Sequence, residues 1–234
     1  MPVLVPALMP ADLYALVPAA GSGSRFGGSL PKQYSRLQGK TVLEHTLAAL
    51  LQLPLAGCVV VVSPTDVHWQ GVLQSLPESQ RQRIHTVLGG DNRAQSVLNG
   101  LLTLPEPATV LVHDAARPLL PLDAVQRLIL EANDDHGGLL AVPVADTLKR
   151  ESHGRSADTV DRSRLWRAQT PQYFKVGLLK KALQTLDLSQ ITDEASAMEA
   201  YGYQPKLVRG HERNFKITYP EDLALAELYL CKAT

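Results

Sequence analysis

The chain has 234 residues, 45% hydrophobic and 20% charged, a composition that fits a folded globular domain and excludes a disordered or coiled-coil chain. Its 23 Lys and Arg balance 23 Asp and Glu, so the basic excess expected of a nucleic-acid binder is missing. Two cysteines, Cys58 and Cys231, exclude a disulfide framework and a CxxC zinc site, and no apolar run approaches the ~20 residues that span a bilayer.

Residues 1–12 (MPVLVPALMPAD) lack the basic region of a signal peptide and carry three prolines. They are expected as a tail ahead of a single domain at 13–234. Together with free thiols, this predicts a cytoplasmic protein without a membrane or nucleic-acid partner. A first strand is expected at 13–18 (LYALVP). A helix follows at 42–53, with Leu43, Leu47, Leu50 and Leu51 on one face. The run 58–62 (CVVVV) suits a strand buried on both faces. Next come a strand at 84–88, a helix at 94–102, a strand at 110–113, a helix at 124–133 and a strand at 139–144. Residues 145–168 break this rhythm: they are polar and rich in both charges. A segment of that kind inside a compact domain is either functional, an interface arm, or a solvated excursion. Helices at 175–186 and 194–201 and short strands at 206–208 and 215–217 precede a last helix at 221–232. Thr218-Tyr-Pro-Glu221 has capping-box spacing for that helix. Strands alternating with helices predict an α/β fold with a mostly parallel sheet flanked by helices.

In such sheets ligands sit beyond the carboxyl ends of the strands, and four polar constellations fall there. The first is Pro18-Ala-Ala-Gly21-Ser-Gly23-Ser-Arg25-Phe-Gly27, with Pro31-Lys32-Gln33-Tyr34 close behind. Glycines let backbone N–H groups approach an oligophosphate. The dinucleotide fingerprint fails at Phe26 and the P-loop fails at Ser29. A structural turn is the alternative; Arg25 and Lys32 favour phosphate. The second is Gly89-Gly90-Asp91-Asn92-Arg93-Ala94-Gln95-Ser96. Asp91 and Ser96 offer an acceptor and a donor to a nucleobase edge, while Asp91 or Asn92 could equally be a helix N-cap.

The third is His113-Asp114-Ala-Ala-Arg117-Pro118. An Asp at a strand end is a common Mg²⁺ ligand. Arg117 could pair with Asp114 or fork onto a phosphate, and His113 reads either as a ligand or as a strand-end hydrogen bonder. The fourth is Arg213-Asn214-Phe215-Lys216-Ile217-Thr218. There Lys216 alternates with apolar neighbours, pointing either into a site or to solvent. Glu212 leaves open a second carboxylate near the metal. No Gly-x-Ser-x-Gly elbow exists, so nothing suggests a serine hydrolase.

Arg25, Lys32, Arg117 and Lys216 thus gather with Asp114 and without an obvious nucleophile or base. A phosphate monoester acceptor is already ionised at neutral pH and needs no base. Transfer of a nucleotidyl group to it needs in-line positioning and charge neutralisation.

The series PAAGSGSRFG, PKQY, GGDNRAQSV, VHDAARP, VADTLKR, TVDR, TPQ, TDEAS and NFKITYPEDLALAE resembles the 2-C-methyl-D-erythritol 4-phosphate cytidylyltransferases of the non-mevalonate isoprenoid pathway, in order and over nearly the whole chain. The resemblance implies a Rossmann-like sheet of nucleotidyltransferase type with a protruding dimerisation arm at 145–168. It implies CTP and a sugar-alcohol phosphate as substrates, Mg²⁺ as cofactor and a homodimer with shared active sites. By motif, Arg25 and Lys32 correspond to transition-state stabilisers, and Arg162 and Lys216 to residues that position the acceptor phosphate. Ala19, Ala20, Gly21, Gly23, Gly90, Asp91 and Ser96 fall on the nucleotide side. Asp114, also the metal ligand, Arg117, Thr147, Thr170 and Thr192 fall on the sugar-phosphate side. The competing readings are a cytidylyltransferase for ribitol 5-phosphate or a similar pentitol phosphate, and a catalytically silent nucleotide-binding regulator.

Overall fold

Alternation along the inner strands decides which face of the sheet each side chain serves. In β1 (Leu13–Pro18), Leu13, Ala15 and Val17 join one apolar cluster and Leu16 the other. Both faces are apolar, which is why inner strands read as continuous hydrophobic runs. The computed structural model describes residues 9–21, 26–27 and 30–231. After β1 a 3-10 turn (Lys32–Tyr34) leads to the short hairpin β2 (Arg36–Leu37) and β3 (Lys40–Thr41), then α1 (Val42–Leu50), β4 (Gly57–Val62), α2 (Trp69–Ser75), α3 (Glu78–Arg81) and β5 (Ile84–Leu88). The middle of the chain forms α4 (Arg93–Leu101), β6 (Thr109–Val112), α5 (Leu122–Glu131), β7 (Gly138–Pro143), β8 (Leu148–Ser152) and β9 (Arg155–Val160). Last come β10 (Trp166–Lys175), α6 (Val176–Thr185), α7 (Glu194–Ala200), β11 (Lys206–Arg209) and α8 (Glu221–Cys231).

Seven strands form the main sheet in the order β11-β7-β10-β6-β1-β4-β5. Every pairing is parallel except those of β10, which runs antiparallel to β6 and β7. Helices α1, α2 and α5 cover one face through Leu43, Leu47, Val72, Val125 and Leu128. Helices α4, α6 and α7 cover the other through Val97, Leu101, Leu179, Leu183 and Met198. Among the described residues no helix is long and apolar enough to cross a membrane. From β1 the chain builds outward through β4 and β5, then returns to place β6 on the other side of β1. The crevice beyond β1 and β6 is therefore the topological switch point where such sheets bind ligands.

The structure corrects the sequence reading in several places. β10 is a buried central strand, and it fills the stretch ahead of the expected helix at 175–186. Pro171 normally argues against an inner strand, but here the pairing with β7 is interrupted between Ala168 and Gln172, so the ladder is not required at the proline; the Thr170–Pro171 peptide is cis. The expected strand at 215–217 does not form. That segment is held by single bonds, Ile217 N to the Ala116 carbonyl at 2.9 Å and the Arg117 guanidinium to the Asn214 carbonyl at 2.6 Å. The Thr218–Glu221 capping box is also absent: α8 begins at Glu221, and Asp222 Oδ2 accepts from Thr218 N at 2.7 Å and Tyr219 N at 2.9 Å. Helices α2 and α3 are additional to the expected elements.

Residues 145–168 contain the hairpin β8–β9 and the start of β10. The hairpin turns at His153 and Gly154, both at positive φ (51° and 74°), the backbone that a two-residue hairpin turn demands and that glycine tolerates best. Its strands are largely exposed and joined by polar pairs, among them Lys149 to Thr159 at 2.6 Å and Arg150 to Asp158 at 3.3 Å. This alternation of charges and hydroxyls hides the strands from a hydrophobicity-based reading.

Candidate active site

Because β1, β4, β5 and β6 are parallel, the loops that follow β1, β5 and β6 emerge at one edge of the sheet. Residues 19–21 continue from β1, with Ala19 N still bonded to Val61 O at 2.7 Å. The Gln33 amide donates to the carbonyls of Ala19 at 2.8 Å and Gly21 at 3.0 Å. Buried Gln33 thereby locks the glycine turn, and the 3-10 turn that carries it also presents Lys32 to the same cavity. Tyr34 anchors that turn through a 2.6 Å bond to Asp66. Gly23 and Arg25 lie outside the described residues.

The loop after β5 approaches the β1 loop closely. A Cβ on Gly89 would stand 2.6 Å from the Ala20 Cβ and 2.8 Å from Ser96 Oγ, so only glycine allows the two loops to meet. Ser96 Oγ donates to Asn92 O at 2.9 Å and accepts from Gly90 N at 3.1 Å. Asn92, not Asp91, caps α4, its side chain accepting from Gln95 N at 2.8 Å. Asp91 is left exposed on the cavity wall.

Beyond β6, Asp114 is the hub. Its Oδ1 lies 3.3 Å from Arg93, and its Oδ2 lies 3.3 Å from Arg117 Nε and 3.0 Å from Lys216 Nζ. Burial alone would raise its pKa; the charges of Arg93, Lys216 and Arg117 outweigh that and hold it well below the usual carboxylate range. Arg117 is itself fixed by the Asn214 carbonyl, which ties the third constellation to the fourth.

His113 supports this hub from beneath. Its Nε2 lies 3.2 Å from the Arg117 carbonyl and must donate to it, which leaves Nδ1 to accept from Thr170 Oγ1 at 3.0 Å. The same Thr170 oxygen accepts from Asp114 N at 3.0 Å. A neutral imidazole fits this chain, and burial lowers the His113 pKa to about 4 from 6.5. A depressed histidine pKa stabilises the fold fully above the unfolded value and loses that contribution as pH falls from 6.5 towards 4. The difference corresponds to about 3 kcal/mol. Urea titrations between pH 8 and pH 4 should show this loss in the wild type, and His113→Gln, which cannot ionise, should flatten it. An equal slope in both proteins would place the acid sensitivity elsewhere.

Two cavities meet at this hub. The first, about 460 Å³, is lined by residues 18–21, Lys32, Gln33, the 90–93 loop, Ser96, residues 114–116 and Lys216. The second, about 160 Å³, is lined by Arg117, residues 168–170, Gln172, Thr192 and Asp193. Arg93, Asp114 and Lys216 line both. The structure thus brings together Ala19, Ala20, Gly21, Lys32, Gly90, Asp91, Ser96, Asp114, Arg117, Thr170, Thr192 and Lys216. It does not bring Thr147 or Arg162 to either wall: both are exposed on the arm, where the Arg162 guanidinium donates to the Ala145 carbonyl. Glu212 lines neither cavity and pairs with Arg167.

The motifs by themselves do not single out Arg93, Gln33 and Gln172. Gln33 stands inside PKQY and Arg93 inside GGDNRAQSV, and a charged residue at the first position of a strand-end helix is the signal for the latter. Among the described residues no three His, Cys, Asp or Glu side chains gather as a metal cage. Asp114 is the carboxylate shared by the two cavities. Asp114 can supply one of the one or two carboxylates that Mg²⁺ takes beside waters and substrate phosphates, in exchange for a contact to Arg93, Arg117 or Lys216.

Thr170 touches a histidine, but His113 is too weakly basic to activate a hydroxyl, and Thr170 is buried beneath the hub. The cations gathered around Asp114 at the switch point suit the charge of phosphate groups. Residues 13–232 match the 2-C-methyl-D-erythritol 4-phosphate cytidylyltransferase family, and the chain belongs to it. A relative of that name from Haemophilus ducreyi is 50% identical over 93% of this chain and 96% of its own. One from Chromobacterium violaceum is 50% identical over 93% and 97%. A crystal structure of a 4-diphosphocytidyl-2C-methyl-D-erythritol synthase superposes with a TM-score of 0.82 at 42% identity, covering 95% of this chain and 100% of that one. The Francisella tularensis cytidylyltransferase gives 0.79 at 32% identity, covering 93% and 99%.

Proposed function

We propose that the chain transfers CMP from CTP to the phosphate of 2-C-methyl-D-erythritol 4-phosphate, with the nucleotide in the larger cavity and the acceptor phosphate in the smaller one. The observation that carries this division is Asp114, shared by both cavities and ringed by Arg93, Arg117 and Lys216. The cytosine lies over Gly90, Asp91 and Ser96, close to Ala19 and Ala20. The triphosphate runs along Gly21 and Lys32. Arg117, Thr192 and Lys216 hold the acceptor phosphate, whose ionised oxygen attacks the α-phosphorus. The new P–O bond forms there as the bridge to the β-phosphate breaks and pyrophosphate leaves. Lys32 and Lys216 neutralise charge that builds on the phosphates, which together with positioning supplies most of the catalysis in such transfers. Asp114 would hold Mg²⁺ beside the nucleotide phosphates, where the ion supplies further neutralisation.

The chain acts as a cytoplasmic homodimer in which the arm's Arg162, with Thr147 nearby, serves the neighbouring subunit's site. The exposed hairpin supports this, as do Leu165 and Trp166 at its root, each 37% exposed. The test is pyrophosphate release from CTP and Mg²⁺ with each candidate acceptor. Rapid release with methylerythritol phosphate is expected. Preference for ribitol 5-phosphate would move the enzyme to the pentitol class, and no release with any acceptor would make it a nucleotide-binding module.

A further inference from the structure

Arg93 stands where the two cavities meet, yet nothing in the proposed chemistry uses it. It is the first residue of α4, directly after the nucleotide loop. Its guanidinium forks onto Glu194, at 2.7 Å to Oε1 and 3.1 Å to Oε2. The nitrogen of the longer contact also reaches Asp114 Oδ1 at 3.3 Å. Glu194 is the first residue of α7 and lies on the acceptor side; it is 2% exposed and lines neither cavity. The start of α7 is fixed in turn by Gln172, whose side chain accepts from Ala195 N at 2.7 Å and donates to Asp193 Oδ2 at 2.8 Å. An arginine with all its partners on other elements joins α4, the β6 end and α7 at one point, which a lysine's single ammonium cannot do.

We infer that Arg93, braced by Glu194, is a positioning residue that sets the acceptor wall and Asp114 against the nucleotide loop. Two carboxylates share one guanidinium, so Asp114 Oδ1 is engaged by Arg93 and Oδ2 is turned to Arg117 and Lys216. Without Glu194, Arg93 has Asp114 alone to hold it, and the wall bearing Thr192 and Asp193 loses its ion-pair link to α4, keeping only the apolar packing beneath. The acceptor phosphate then meets a cavity whose two sides are no longer in register, while the nucleotide loop keeps its own fixings at Asn92 and Ser96. Small displacements of this kind are costly in an in-line transfer.

The inference rests on the placing of the acceptor in the smaller cavity, and the experiment separates the two. Wild type, Glu194→Gln and Arg93→Lys are assayed for pyrophosphate release, with KM measured separately for CTP and for the sugar phosphate. Glu194→Gln keeps the side chain's size and removes its charge. The expected result is a rise of about tenfold in the acceptor KM, the loss of one charged contact, a fall in kcat, and a CTP KM within about twofold of wild type. Arg93→Lys keeps the charge and loses the fork; because Arg93 also lines the larger cavity, its CTP KM can rise as well, and the expected result is an acceptor KM that rises further than the CTP KM, which mere loosening of the fold would not produce. If Glu194→Gln fails to fold, the split in Arg93→Lys decides. Unchanged constants, or equal rises for both substrates, in a folded variant would overturn the inference and leave a plain structural ion pair. An inactive wild type would instead overturn the reading of the cavities.

Discussion

Lys32→Ala and Arg162→Ala chains, each nearly inactive as a homodimer, should recover about a quarter of wild-type activity after co-refolding in equal amounts, by two-fold symmetry. Removing a transition-state donor at Lys32 costs about 10²–10³ in rate, and removing the charged contact of Arg162 to the acceptor phosphate costs about 10–10²-fold, so neither homodimer contributes much. Lys32 lines the nucleotide cavity of its own chain, whereas Arg162 lies on the arm and lines neither cavity. If Arg162 serves the neighbouring subunit's site as proposed, one site of a heterodimer carries both lesions and the other carries none. Random exchange makes about half the dimers mixed, hence about a quarter of the sites intact. Pyrophosphate release checks the rescue, and a tag pull-down shows that mixed dimers form. Mixed dimers without rescue would mean that Arg162 acts within its own chain or in the dimer contact alone.

Asp114→Asn should abolish turnover and destabilise the fold together. The substitution leaves Arg93, Arg117 and Lys216 clustered around a neutral amide. Breaking a buried ion pair by removing one partner costs about 3–5 kcal/mol, which in a chain of this size lowers Tm by roughly 10 °C. The asparagine amide also presents a donor to three donors. Orthophosphate, an anion that can replace the lost carboxylate, should restore part of the Tm. A melting curve like that of the wild type would show that the three cations do not depend on Asp114. In the wild type the sign of the acid effect follows from the lowered pKa: the Asp114 contribution is complete above the unfolded value of about 4 and is lost as pH falls below it.

Three of the four constellations, those at 18–27, 89–96 and 113–118, are legible because each is a short local word placed just after an apolar run. Residues 89–96 and 113–117 carry their chemistry within eight positions of one another, and the strands before them are marked by β-branched residues. The buried strand β10 is not legible, because its pairing depends on β6 and β7 rather than on its own pattern, and Pro171 speaks against an inner strand until the break in the ladder is seen. The segment 215–217 alternates like a strand, but its backbone partner there is Ala116, and one bond does not make a ladder.

By itself the sequence determined the α/β class, the positions of the polar strand-end loops and the family to which the chain belongs, since these rest on local periodicity and on contiguous motifs. The tertiary structure decided how those pieces act on one another. Arg93 and Glu194 are 101 residues apart, and Arg117 meets the Asn214 carbonyl across 97. Which carboxylate each cation chooses depends on where α4, β6 and α7 end in space. Thr170, expected at the substrate, lines the smaller cavity while its hydroxyl bridges Asp114 and His113. That division arises because local words specify elements, while charge pairing in a buried cleft is settled by distances that no local pattern encodes.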